Sequence, residues 1–230
     1  QQKQFLSDAS HELKTPLTVI LSSAELLNQS ALPEQAAYID NIRAEGRRMK
    51  LLVEDMLTLS RAQRSAGALP EQTVELSETA VTAALRFEPV AFEAGKRLEY
   101  DIAPSLPVRG DGTKLGQALA ALLDNAVKYA ADGTDIRLTA ERQGRFAAVT
   151  VENRGADIPA DKLPHIFDRF YRADEARTDG DSFGLGLPIA KAIIEAHRGT
   201  LRCESGSGVT RFIITLPLTA GKQERGADHA

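Results

Sequence analysis

The sequence predicts two units in series: an N-terminal all-α helical hairpin that pairs into a dimeric four-helix bundle, followed by an α+β sandwich. Three observations carry this reading. Apolar residues recur at helical spacing through two early segments separated only by "NQSALP". The pattern breaks over residues 65–76, "SAGALPEQTVEL", where small and polar residues and a proline replace it. Beyond the break, helical periods alternate with strand patterns. The expected organisation is a helical unit over 1–64, a linker over 65–76, a sandwich over 77–218 and a polar, disordered tail over 219–230.

In the first helix, Leu6, Leu17, Ile20, Ala24 and Leu27 fall within roughly 40° of Leu13 at about 100° per residue, forming one apolar stripe. His11 and Thr15 are four residues apart and lie together on the opposite face. Pro16 removes a backbone hydrogen bond and clashes with the Glu12 carbonyl, so a bend beside His11 is expected. On this helix alone, His11 reads more readily as a solvated surface residue than as an exposed nucleophile. The second helix opens with Pro33 and Glu34 in its first turn. Tyr38, Ile42, Glu45, Met49, Leu52, Met56 and Leu59 follow at spacings of 4, 3, 4, 3, 4 and 3, a heptad seam with one polar member. The short loop makes the helices antiparallel, and a lone hairpin buries so little that a second copy is expected.

In the second unit the patterns predict helices over 77–94, 113–130 and 187–196. Strands are expected over 98–102, 136–141, 146–151, 200–204 and 211–216. The composition is 43% apolar and 26% charged, ordinary for a globular protein. With 28 Lys and Arg against 32 Asp and Glu, no basic excess advertises nucleic acid or direct membrane contact by this stretch. The single cysteine, Cys203, makes no internal disulfide and suits a reducing compartment such as a cytoplasm. No run of about 18 apolar residues occurs. The helical pattern is already running at Phe5 and Leu6 without a cap, so more chain is expected upstream.

Four stretches of the second unit have a composition suited to chemistry. "LLDNAVKYA" sets Asn125, Lys128 and Tyr129 on one helical flank; an amide oxygen suits a hard cation, an ammonium a phosphate. "VENRGADIP" ends a strand in a turn at Gly155. "IFDRFYRAD" mixes aromatics with Arg169 and Arg172. "DGDSFGLGLPIAKAII" places Gly184 and Gly186 just before a helix, where backbone amides can approach a phosphate. Singly, each is more often a plain turn or a solvated helix face.

Taken in order, these stretches carry a resemblance. "FLSDASHELKTPLTVI" resembles the phosphoacceptor box of sensor histidine kinases, and the four later stretches resemble the asparagine, first-glycine, aromatic and second-glycine boxes of their ATP-binding domain. "SGSGVTRFIITLPL" is similar to that domain's final segment, so the resemblance runs from residue 4 to 218. It implies the histidine kinase and gyrase-type ATPase fold for the sandwich. It also implies autophosphorylation on His11 from ATP and transfer to an aspartate of a response regulator receiver domain, with phosphatase activity toward that regulator. Glu12 would orient or accept the imidazole proton, and Thr15 would position water for the reverse reaction. Asn125 would hold Mg²⁺ on the phosphates, with Lys128 and Arg172 contacting them. Tyr129, Asn153, Gly155, Ile158 and Thr210 would line the nucleotide site, and Gly184, Leu185, Gly186 and Leu187 would form the phosphate-facing turn. Residues 173–183 would be a lid over ATP. The family also implies a homodimer, and a cytoplasmic portion of a bacterial membrane sensor.

The sequence departs from the family pattern in three places. Ala121 stands where an asparagine is common. Asn153-Arg154-Gly155-Ala156-Asp157 replaces the usual Asp-x-Gly-x-Gly, so an amide stands where the family's adenine-contacting carboxylate is usual. Asp181 and Ser182 stand where lid glycines are common. Two other classes compete: a topoisomerase or mismatch-repair ATPase of the same superfamily, which would use a catalytic glutamate and lack the His11 helix, and a docking module that has lost ATP.

Overall fold

The computed structural model describes residues 17–27, 33–64, 72–171 and 183–219. His11, Glu12, Thr15, Arg172 and the expected lid, apart from Phe183, lie outside the described residues, as does 220–230 of the expected tail.

Residues 17–27 form a helical stretch, here α1, and Pro33–Arg64 form α2. Glu25 pairs with Arg43 at 3.2 Å, and Leu21 packs on Gly46. As one number falls the other rises, so the two helices run antiparallel, as the short loop requires. A Cβ on Gly46 would sit 2.6 Å from the Leu21 side chain, so glycine there lets the helices close. Leu17, Ala24, Ile39 and Val53 are buried, whereas Ile20, Leu27, Ile42 and Met49 remain about half exposed or more. The apolar stripe thus has one edge inside the hairpin and one edge open.

The heptad seam divides between two surroundings. Leu59 is buried in the core of the second unit, and Leu52 and Met56 pack against that core. The C-terminal half of α2 lies along α5 (Gly186–Ala196). Arg48 stacks its guanidinium 5.0 Å from the Phe183 ring centroid at the same junction.

The second unit is a two-layer sandwich. Its elements are β1 (Thr73–Glu75), α3 (Leu76–Glu93), β2 (Arg97–Ile102), β3 (Pro107–Arg109), α4 (Gly112–Tyr129), β4 (Asp135–Gln143), β5 (Phe146–Arg154), α5, β6 (Thr200–Gly206) and β7 (Val209–Pro217). Five strands run in the order β2-β4-β5-β7-β6, with β2 and β4 parallel and the other pairs antiparallel. Ile136, Leu138 and Ala140 alternate inward on β4, and α3, α4 and α5 cover that side over β2, β5 and β6. The two short strands β1 and β3 pair separately; the first occupies residues read as linker, and neither was expected. They are three-residue strands with a proline in one, too short for alternation to show.

α4 positions the site. Its Asp111 cap accepts hydrogen bonds from the N–H groups of Thr113 and Lys114 at 2.9 and 3.2 Å. Leu115, Leu119, Leu122, Ala126 and their neighbours at three and four fill one face with core contacts. That register turns Asp124, Asn125 and Lys128 to the other side. Among the described residues, no helix is long and apolar enough to cross a membrane.

Candidate functional site

A cavity of about 380 Å³ opens between α4, the end of β5, the N-terminus of α5 and β7. Asn125, Lys128, Tyr129, Asn153, Gly155, Ile158, Gly184, Gly186, Leu187 and Thr210 all line it. Residues spread from 125 to 210 therefore converge on one space. Leu185 does not line it: the side chain is 1% exposed and belongs to the core, where it anchors the turn between the two glycines.

Each glycine of the site acts by a different route. Gly184 has φ of +67°, and a Cβ would sit 2.7 Å from the Tyr171 carbonyl oxygen, so both backbone conformation and space demand glycine. Gly186 meets only the Ala121 methyl, at 3.9 Å from an added Cβ, so its role is to leave the cavity wall open. The departure at Ala121 enlarges the same spot. At Gly155 a Cβ would collide with the Tyr129 carbonyl oxygen, so the end of β5 can approach the end of α4 only through glycine.

The loop after β5 is strapped to the β6–β7 hairpin. The Gly208 N–H donates to Asp157 Oδ1 at 2.7 Å, the Gly155 N–H to the Gly208 carbonyl at 3.0 Å, and the Ile158 N–H to Ser205 Oγ at 2.9 Å. Asp157, standing where a second glycine is usual, thus holds a turn.

Two kinds of chemistry line the cavity. Lys128 pairs with Asp124 at 2.6 Å, Asn125 stands half-buried on the same helix, and α5 begins without a side-chain cap. An ammonium and an uncapped helix N-terminus in one cavity wall both favour an anion. Asn153 and Thr210, paired across β5 and β7, are buried, and Phe212 also lines the cavity. Asn153 Oδ1 has no hydrogen-bond partner. Asp124, Ile166, Tyr171 and Phe212 also line the cavity; each lies in a stretch singled out above, though none stands among the expected site residues. Lys162, a further lining residue, lies in none of those stretches. No cluster of three or more His, Cys, Asp or Glu side chains suited to a metal occurs among the described residues.

A cavity lined both by groups that favour an anion and by buried polar groups suits a nucleotide, and comparison with known proteins agrees. Residues 110–220 match the family described as "Histidine kinase-, DNA gyrase B-, and HSP90-like ATPase", and residues 1–65 match "His Kinase A (phospho-acceptor) domain". The chain belongs to the sensor histidine kinases. The sensor protein DltS of Streptococcus agalactiae serotype III (strain NEM316) is 35% identical over 218 residues, covering 95% of this chain and 55% of that protein. The sensor histidine kinase TrcS of Mycobacterium tuberculosis (strain ATCC 25618 / H37Rv) is 38% identical over 228 residues, covering 95% and 44%. The crystal structure of full-length ShkA in complex with AMPPNP superposes with a TM-score of 0.81 at 27% identity, covering 95% of this chain and 46% of that one. The chain thus spans about half the length of these relatives. For a histidine kinase the helical unit followed by a mixed-sheet ATPase unit is the expected arrangement, and the sandwich carries the nucleotide-type cavity.

Proposed function

We propose that this chain binds Mg²⁺-ATP in the cavity and transfers the γ-phosphoryl group to His11, then to an aspartate of a response regulator. The observation that carries the reading is the lining of the cavity, which combines Asn125, Lys128 and the uncapped start of α5 with buried Asn153 and Thr210. The first group takes the phosphates and the second the base. Asn125 offers one amide oxygen to Mg²⁺. This fits a cation that keeps several waters and takes most other ligands from the substrate phosphates. Lys128 and Arg172 contact the phosphates, Tyr129, Gly155 and Ile158 border the nucleoside, and Gly184, Gly186 and Leu187 present backbone to the phosphates. Leu185 holds the turn from behind.

In the transfer a neutral His11 ring nitrogen forms a bond to the γ-phosphorus as the bond to the β-phosphate oxygen breaks and ADP departs. Glu12 takes the proton from the other ring nitrogen. Thr15, one turn from His11, holds water for hydrolysis of the regulator's aspartyl phosphate. The open edge of the hairpin pairs with a second copy to complete a four-helix bundle. We assign 1–64 to dimerisation and phosphotransfer, 77–218 to ATP binding, and the whole to the cytoplasmic part of a membrane sensor. Incubation with γ-labelled ATP and Mg²⁺ should give acid-labile, base-stable label that His11→Gln abolishes. Undiminished labelling of His11→Gln would overturn the assignment.

A further inference from the structure

Few polar side chains are buried among the described residues, and two of them, Asn153 and Thr210, are direct partners across β5 and β7 in the wall of the cavity. Asn153 is 3% exposed, and its Oδ1 has no partner. A buried acceptor left unpaired is costly, and turning the amide of Asn153, a residue in the wall of a cavity that a ligand can enter, would bring that oxygen to the cavity side. Ser205, the partner of Thr210 on β6, lies 2.9 Å from it, hydroxyl to hydroxyl. Ser205 also accepts the Ile158 N–H. Three adjacent strands thus place an amide and a pair of hydroxyls side by side.

None of these groups has a fixed hydrogen-bond polarity. An amide can turn about its last bond to present a carbonyl oxygen or an N–H₂. The hydroxyl pair can run either way. When Ser205 donates to Thr210, the Thr210 hydrogen is available to an acceptor; when Thr210 donates to Ser205, its lone pairs are available to a donor. Adenine presents a 6-amino donor beside the N1 acceptor. Guanine and hypoxanthine present a 6-oxo acceptor beside an N1–H donor. A carboxylate at position 153 would accept only, and would select the first edge.

We propose that Asn153, together with the Thr210–Ser205 hydroxyl pair, reads the purine edge with reversible polarity, so that the site takes 6-oxo as well as 6-amino purine triphosphates. This rests on the cavity being the nucleotide site. Inosine triphosphate is the informative probe, because it carries the 6-oxo edge without guanine's 2-amino group. In competition binding to the whole chain with Mg²⁺, inosine triphosphate should bind within about tenfold of ATP, and Asn153→Asp should widen that ratio by about tenfold or more. A wider ratio in the wild type, or a smaller change in the variant, overturns the proposal. Purine riboside triphosphate, which has no 6-substituent, keeps the proposal falsifiable if the variant does not fold. It should bind the wild type about tenfold more weakly than both others, and binding equal to theirs overturns the proposal. No binding of Mg²⁺-ATP overturns this proposal and the nucleotide reading together; ATP binding with inosine triphosphate rejected overturns this one alone.

Discussion

The imidazole of His197, 2% exposed, joins the far end of α5 to the start of α4: its Nε2 accepts the Asp111 N–H at 3.0 Å. Its Nδ1 lies 2.7 Å from the Ile193 carbonyl oxygen, to which Nδ1–H donates. The two bonds together require the neutral ring protonated on Nδ1. A Cβ on Gly110 would strike this ring, so the neighbouring glycine is part of the same joint.

This joint makes stability depend on pH. Burial holds the His197 pKa below its ordinary 6.5, against smaller upward effects of the Ile193 carbonyl and Asp111. Lys114 adds a small downward push. The unfolded chain therefore binds the proton more readily, and stability rises with pH. The contribution is complete above about 6.5 and declines as pH falls through that value toward the folded one. His197→Gln should cost about 1–3 kcal/mol at pH 8, and the gap to wild type should narrow by pH 5. Thermal unfolding across that range checks it; a gap independent of pH would contradict it.

The end of β5 gives a second prediction. Gly155→Ala forces the Tyr129 carbonyl and the β5 terminus apart, because the obstacle is backbone and cannot rotate away. The expected cost is about 1–3 kcal/mol, with weaker ATP binding because Asn153 and Tyr129 border the same cavity. Gly206→Ala is the control: no atom lies within 4 Å of an added Cβ. Equal stability of the two variants would show that the approach of β5 to α4 is not tight.

What was legible in the sequence followed from what local pattern encodes. The apolar positions of α4 are all within one helix, so its buried face and the opposite face bearing Asn125 and Lys128 could both be read from spacing. The seam on α2 shows the limit. Periodicity marks Leu52 and Met49 alike as apolar, but not that one meets the sandwich core while the other stays open. Similarly, the Gly184–Leu187 stretch reads as a unit, yet Leu185, the residue just before α5, is buried in the core and does not line the cavity. The missing partner of Asn153 depends on β7 and β6, some 50–60 residues further along, and no local pattern reports it.

The divided seam predicts different outcomes for neighbouring substitutions. Met49, 49% exposed, lies on the open edge. If a second hairpin covers it, Met49→Asp buries an unpaired charge at the dimer interface and shifts the chain toward monomer, at a cost of several kcal/mol. Leu52→Asp should instead disturb the packing of α2 on the sandwich core. Light scattering at micromolar concentration with melting curves separates the two. A wild type that is already monomeric would remove the bundle.

The ion pair inside the cavity yields the last prediction. Lys128 Nζ and Asp124 Oδ2 are 2.6 Å apart, with both side chains a third or more exposed. Such a pair is worth about 0–1 kcal/mol, so a triphosphate can draw the ammonium away at little cost. In that case Asp124 competes with the nucleotide for Lys128 and also repels it. Lys128→Ala should weaken Mg²⁺-ATP binding by about tenfold, and Asp124→Asn should tighten it a few-fold at low salt. The gain should fade as salt rises to about 1 M, where charges are screened within about 3 Å. The double variant should bind like Lys128→Ala with only the repulsion relieved, a non-additivity that marks the two groups as coupled. Isothermal titration at two salt concentrations measures all four. Weaker binding by Asp124→Asn would mean that the carboxylate serves the metal rather than restraining the lysine, and the competition between Asp124 and the phosphates would have to be abandoned.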